Sequence, residues 1–173
     1  EKLNQAPELR GNLADTSSIA AALMADRSKG VLASAIKYGA VSYEGGVTKI
    51  KDFVHNGKKY RGLLDVMAPL FDNQYGKSLE EIAQAYAIAM RAERLRASGI
   101  QTPVQEGDLA QIEEIVDRYV NPETGQPIVK EWYDAWQAYN DNTIQFLRNT
   151  GILDDKTAQD WRNMSDYVPF YKQ

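Results

Sequence analysis

The 173 residues carry 24 acidic and 20 basic side chains, for a net charge of −4 and a pI near 5.1, so no basic surplus marks the chain as a dedicated duplex-DNA binder. Hydrophobic residues make up 43% and charged residues 25%, a globular composition, and a chain of this length buries roughly 70% of the surface its unfolded form exposes. The absence of cysteine excludes disulfides, thiolate metal sites and cysteine nucleophiles.

No run approaches ~18 consecutive apolar residues, so no membrane span is predicted. The opening EKLNQAPELRGNLAD lacks the apolar core of a signal peptide. Because the chain starts at Glu1 and not at Met, we expect an excised or processed piece of a longer protein.

Residues 1–14, with Pro7 and Gly11, read as an irregular arm, and residues 15–173 as a single mostly helical domain. A helix is expected to open at Asp15 or Thr16, where side-chain oxygens can cap it. It would place Ile19, Leu23, Val31, Ala35 and Tyr38 on one face and stop at Gly39. The segments AVSYE and VTKIKDF then flank Gly45-Gly46, a pair suited to a two-residue turn at positive φ. That turn sets Tyr43 opposite Thr48 and Val41 opposite Ile50, forming an apolar side that can cover a helix. A second turn signal, Asn56-Gly57, makes KKYR a candidate third strand, so residues 40–61 should hold a small antiparallel hairpin or three-stranded meander.

The rest of the chain is predicted to be helical. GLLDVMAPLF forms a short helix or one broken at Pro69. Ser78-Leu79-Glu80-Glu81 is a capping box opening a helix to about Ala97, with Leu79, Ile82, Ala83, Tyr86, Ala89 and Met90 inward. Asp108 to Tyr119 is amphipathic, with Leu109, Ile112, Val116 and Tyr119 inward. From Val129 to about Thr150 the stripe Val129, Trp132, Tyr133, Trp136, Tyr139, Thr143 and Leu147 follows helical spacing. Gly151 ends that helix, Asp154 or Asp155 caps a short one carrying Trp161 and Met164, and residues 166–173 form an extended tail. The expected fold class is therefore mainly α, about six helices with the small β unit.

Chemistry-bearing patterns are sparse. Gly76-Lys77-Ser78 resembles a phosphate loop, but the motif needs glycine where Phe71 stands and a preceding strand. His55 is the single histidine, and its place beside the Asn56-Gly57 turn favours a turn residue over a catalytic base. The adjacent acids Glu80/Glu81, Glu113/Glu114 and Asp154/Asp155 point about 100° apart on a helix, so none forms a shared acid–base pair. Arg91, Arg94 and Arg96 make the best basic cluster and are candidate nucleic-acid contacts, although such runs are more often solvated faces paired with acids such as Glu93. Trp132, Trp136, Tyr139, Trp161, Tyr167, Phe170 and Tyr171 concentrate rings in the last third, and their spacing points to a core or a protein interface rather than base stacking. The YVPFY tail should dock on this domain or on a partner. No catalytic residue, metal site or cofactor is predicted.

Three segments in order carry a resemblance. They are the hairpin leading into YRGLLDVMAPL, the alanine-rich helix ending RAERLR, and WYDAWQAYNDNTIQFLRNTGILDDKTAQDWRNMSDYVPFYK. The last contains Asn140, the turn Gly151-Ile152-Leu153, Trp161 and Tyr167-Val168-Pro169-Phe170-Tyr171, followed by the basic Lys172. From about residue 40 onward the chain resembles a region of the large polyvalent proteins of tailed bacteriophages. Those are very long chains that join helicase, methyltransferase, peptidase or polymerase modules to helical regions of no known activity, some of them delivered with the genome. The resemblance implies a non-enzymatic structural or interaction module of a virion or ejection protein, located in the virion or, after delivery, in the host cytoplasm. Its partners would be other segments of the parent or other virion proteins. An alternative is a nucleic-acid-contacting accessory module beside a phage polymerase or helicase.

Overall fold

The computed structural model describes residues 30–31, 33–71, 79–105 and 107–163. The predicted arm, the cap Ser78, the residues Gly76 and Lys77, and Met164, Tyr167, Phe170 and Tyr171 lie outside them. Within them the fold is mainly helical with a small β unit, as the periodicities require. Helix α1, described over 33–38, leads into strands β1 (Ala40–Glu44), β2 (Val47–Lys51), β3 (Phe53–His55) and β4 (Lys58–Tyr60). Helix α2 (Leu63–Met67) runs directly into a 3-10 turn at Ala68–Leu70, the break that Pro69 imposes. Helices α3 (Glu80–Ala97), α4 (Asp108–Val116), α5 (Ile128–Asn149) and α6 (Asp155–Asn163) complete the order.

Both turns take the conformation their sequences demand. Gly45 and Gly46 have φ of 59° and 80°, and Asn56 and Gly57 have 48° and 76°, the double positive φ of a two-residue hairpin. In the first hairpin Val41 faces Ile50 and Tyr43 faces Thr48, the register set by the turn. The β unit is the small antiparallel one expected between residues 40 and 61, built as two hairpins, with β3 pairing β4 apart from β1 and β2. The strand predicted to run through Phe53 breaks at Asp52, which leaves the ladder and pairs with Lys59 at 2.6 Å. The break turns Phe53 inward, against Tyr60 and edge-on to Tyr139 at 5.3 Å. The apolar side of the first hairpin is also reassigned. Val41, Tyr43 and Ile50 are half-buried and Thr48 is exposed, whereas Ala40 on the opposite side is 4% exposed.

Helix α5 is the axis of the core. Val129, Trp132, Tyr133 and Tyr139 are buried along it, joined by Ile128, Ala135 and Ile144. Thr143 is exposed, contrary to its place in the stripe, and its hydroxyl donates to the Tyr139 carbonyl at 3.1 Å. Helix α3 packs through Leu79, Ala83, Tyr86, Ala87 and Ala89, with Ile82 and Met90 partly buried; small residues on that face allow close approach. Helix α4 ends at Val116, three residues before the predicted end, because Asp117–Tyr119 turn toward the loop that pairs Val120 with Pro127. Leu109, Ile112 and Tyr119 still pack against the core. Tyr38 is 67% exposed, not inward, since α1 ends there and the chain bends through Gly39.

One node fastens α1, β1, α2 and α5 together. The buried Tyr139 hydroxyl donates to the carbonyls of Ala35 at 2.9 Å and Gly39 at 3.2 Å. Burial raises its pKa, so it stays a protonated donor. A Cβ on Gly62 would stand 2.6 Å from the Ile36 carbonyl oxygen and 2.7 Å from that of Ala35. At the far end of α5, the Asp154 carboxylate accepts the Thr157 amide at 2.6 Å and caps α6.

Tyr139→Phe leaves two carbonyls without their donor, and the expected loss is about 1–3 kcal/mol in urea unfolding. Gly62→Ala forces backbone apart at the same node and should destabilise by about 1–3 kcal/mol, read the same way. Acid should also weaken the fold. Asp154 is held below the usual carboxylate range by the Thr157 amide, and Asp65 by Arg61. Their stabilisation is complete above the ordinary carboxylate range and is lost as pH falls through the lowered folded values. Asp154→Asn keeps a capping oxygen without the charge, so its urea midpoint should fall less steeply on acidification than that of the parent chain.

Candidate functional site

Three clefts adjoin along one flank of α5. The first, about 560 Å³, lies between the first hairpin and the middle of α5, where Ala40, Ser42 and Glu44 face Ala138, Asp141 and Asn142. Asn142 donates to the Val41 carbonyl at 3.1 Å and holds the hairpin at that distance. The second, about 470 Å³, shares His55 with the first and adds Lys130, Glu131 and Asp134 from α5. The third, about 380 Å³, shares Lys58, Tyr60 and Glu131 with the second and ends on Trp132 and the 121–123 loop segment. Together they make an interrupted trough beside α5, walled in turn by the first hairpin, the second hairpin, and α2 with the 121–126 loop, and bridged where His55 meets Asp134.

The polar groups in the trough are tied to one another. His55 Nε2 donates to Asp134 Oδ2 at 2.7 Å, and Asn56 Nδ2 donates to the same oxygen at 2.9 Å. An ionised carboxylate can only accept, so Nε2 carries the proton and Nδ1 is the ring nitrogen left over in the neutral form. Asn121 donates to Glu131 at 2.8 Å from a loop pinned by Asn121 N–H to the Gln126 carbonyl and Gly125 N–H to the Asn121 carbonyl, each 2.8 Å. The Lys130 ammonium lies 2.8 Å from Asp117 and 3.8 Å from Glu113, and the Asp117 contact raises its pKa against the opposing effect of burial. Burial and the nearby Glu131 and Asp134 charges raise the Tyr60 phenol as well, so it remains a neutral donor. Lys58 sits over the Tyr60 ring at 5.2 Å.

His55 with Asp134 is the oriented imidazole–carboxylate pair from which general-base sites are built. A nucleophile is the missing element: among the described residues no hydroxyl bonds to His55. Nor does any group of three or more His, Asp or Glu among them converge on a metal position.

Of the aromatic candidates, Trp132 and Tyr139 are buried in the chain's own core at 6% and 7% exposure. Trp136 is partly buried and stacks on Trp132, centroids 5.6 Å apart and planes within 11°. Trp132 donates its indole N–H to Met67 Sδ at 3.2 Å, tying α5 to α2. Trp161 faces outward at 46% exposure. Among the basic candidates, Arg96 donates to Glu93 and to the Val104 carbonyl, the latter at 2.8 Å, and so anchors the loop after α3. Arg91 is half-buried on that helix and Arg94 is exposed. Arg61 lies apart from them and forks onto Asp65.

Asp134 escaped sequence reasoning. It stands 79 residues from His55, at an outward position of α5, and nothing local marks the pairing. The pair is half open, with side chains 22% and 59% exposed, so water screens it. A double-mutant cycle of His55→Ala and Asp134→Ala should give a coupling of about 0.2–1 kcal/mol in urea unfolding; a coupling several times larger would contradict a solvent-screened pair. No family model, curated protein or solved structure matches this chain.

Proposed function

We propose that the chain is a non-enzymatic structural and interaction module of a large bacteriophage virion or ejection protein, working as one segment of a longer polypeptide. The observation that carries the structural half of this reading is the ring network. Phe53, Tyr60 and Tyr139 from one cluster, and Tyr86, Trp132, Tyr133 and Trp136 from the other, join both hairpin and helical elements in one core. The trough polar groups are likewise engaged in fastening hairpin, loop and helix to each other, the work of a scaffold. Outward apolar residues such as Trp161, Ile152, Leu64 and Phe71 are the surfaces through which neighbours would be met. The phage assignment rests on the resemblance carried by the segments from residue 40 onward. No described helix is long and apolar enough to cross a membrane.

The nucleic-acid reading has less support, because Arg96 already serves Glu93 and Val104. The expected result is no salt-dependent binding of single or double strands at ~50 mM salt, and no difference on Arg91→Ala plus Arg94→Ala. For the main reading, mass spectrometry of purified virions should find peptides of this chain within one very large particle protein. Their absence from particles, with presence in infected cells, would overturn it.

A further inference from the structure

We propose that Asn56 is a site of spontaneous deamidation and that Asp134 sets its rate. No other asparagine in the sequence precedes a glycine. The reaction begins when the backbone nitrogen of the following residue bonds to the asparagine Cγ, so a side chain on that residue hinders it and glycine leaves it open. Asn56 and Gly57 are both exposed at the tip of the second hairpin, and a Cβ built on Gly57 would meet nothing within 4 Å. The ladder closes at His55 and Lys58, which leaves the Gly57 N–H outside it. Among the described residues no carbonyl is bonded to that N–H, so the attacking nitrogen is free.

The group under attack is restrained. Asn56 Nδ2 donates to Asp134 Oδ2 at 2.9 Å, on the oxygen that also accepts from His55 Nε2 at 2.7 Å. An amide held in one rotamer reaches the ring-closing geometry less often than a free one. The Asp134 side chain is 59% exposed, so water competes for the bond and the restraint slows the reaction without abolishing it. The Gly57 nitrogen loses its proton and bonds to Asn56 Cγ, the Cγ–Nδ2 bond breaks, and ammonia leaves. Water then opens the cyclic imide at either carbonyl, giving aspartate or isoaspartate at position 56. The net change is amide plus water to carboxylate plus ammonium.

The product reverses a contact that fastens the second hairpin to α5. Where an amide donated to Asp134, a second carboxylate now stands, and two ionised carboxylates can only accept and repel. His55 is left as the single donor to Asp134 Oδ2 among the described residues. In the isoaspartate product an extra methylene also enters the backbone between residues 56 and 57, and the two-residue turn at positive φ no longer fits. The hairpin therefore loosens from α5 with age. The inference is independent of whether the parent is a virion protein.

The test incubates the full folded chain in ¹⁸O-water at mildly alkaline pH and maps the labelled acid by peptide mass spectrometry. The label separates deamidation in the folded protein from any that occurs during digestion. Labelled acid should accumulate at position 56 severalfold faster than at any other asparagine, and faster as pH rises, because the attacking nitrogen must lose its proton. In Asp134→Ala the rate at position 56 should rise severalfold. His55→Ala removes the other bond to the same oxygen and keeps the Asn56 restraint, so its rate should stay close to that of the parent. Accumulation at position 56 no faster than elsewhere would overturn the site. An unchanged rate in Asp134→Ala, or an equal rise in His55→Ala, would overturn the role of Asp134. In Asn56→Asp, amides of β3 and β4 should exchange with solvent severalfold faster than in the parent while those of α3 and α4 stay unchanged; equal rates in β3 and β4 would overturn the loosening.

Discussion

The fold depends on one buried hydroxyl. Tyr139 lies late in the chain, yet its oxygen reaches two carbonyls about a hundred residues earlier. Those carbonyls belong to the last turn of α1 and to Gly39, the residue between α1 and β1, and the last carbonyls of a helix have no partner within it. Without that donor the chain would need water inside the core or would have to abandon the tight bend at Gly39. The same oxygen fixes the ring against which Phe53 packs edge-on, and Phe53 in turn carries the second hairpin. A single phenol thus sets the distance between the β unit and the helical core, and the trough follows from that distance.

The trough shows how a polar site can hold an architecture together without being dry. Three of its carboxylate and ammonium contacts link segments that no regular hydrogen-bond pattern joins: hairpin to helix through Asp134, loop to helix through Glu131, α4 to α5 through Lys130. Partly solvated pairs contribute little energy individually. Their value lies in angle and register, because each carboxylate has its partner in one relative placement of the two segments. The apolar layer beneath, with Val66, Leu70, Leu79, Val116 and Val129 fully buried, supplies the driving force.

Much of this was legible in the residues. Gly45-Gly46 and Asn56-Gly57 announced their turns because the steric demand is local, and the pairing register followed from the turn alone. The α5 stripe and the inner face of α3 were legible because burial repeats with the helical period. What failed were the places where tertiary contacts override local signal. Asp52 breaks a strand so that Phe53 can turn toward Tyr139, a residue 86 positions on. Thr143 has the right spacing for burial but serves its own helix, and Ile144 fills the space. The His55–Asp134 contact had no sequence signature, since an aspartate on the outer face of a helix reads as solvation.

The lysines of the first hairpin have a consequence beyond this chain. Among the described residues β2 bonds to β1 alone, leaving a row of backbone donors and acceptors along its outer side. In the strand VTKIK, Lys49 and Lys51 flank Ile50, and Lys51 is held by Glu44 across the ladder. Long charged side chains at such a margin make stacking against a foreign strand costly, since the approaching sheet would have to desolvate them. The open margin of this hairpin is thereby a poor template for a second strand.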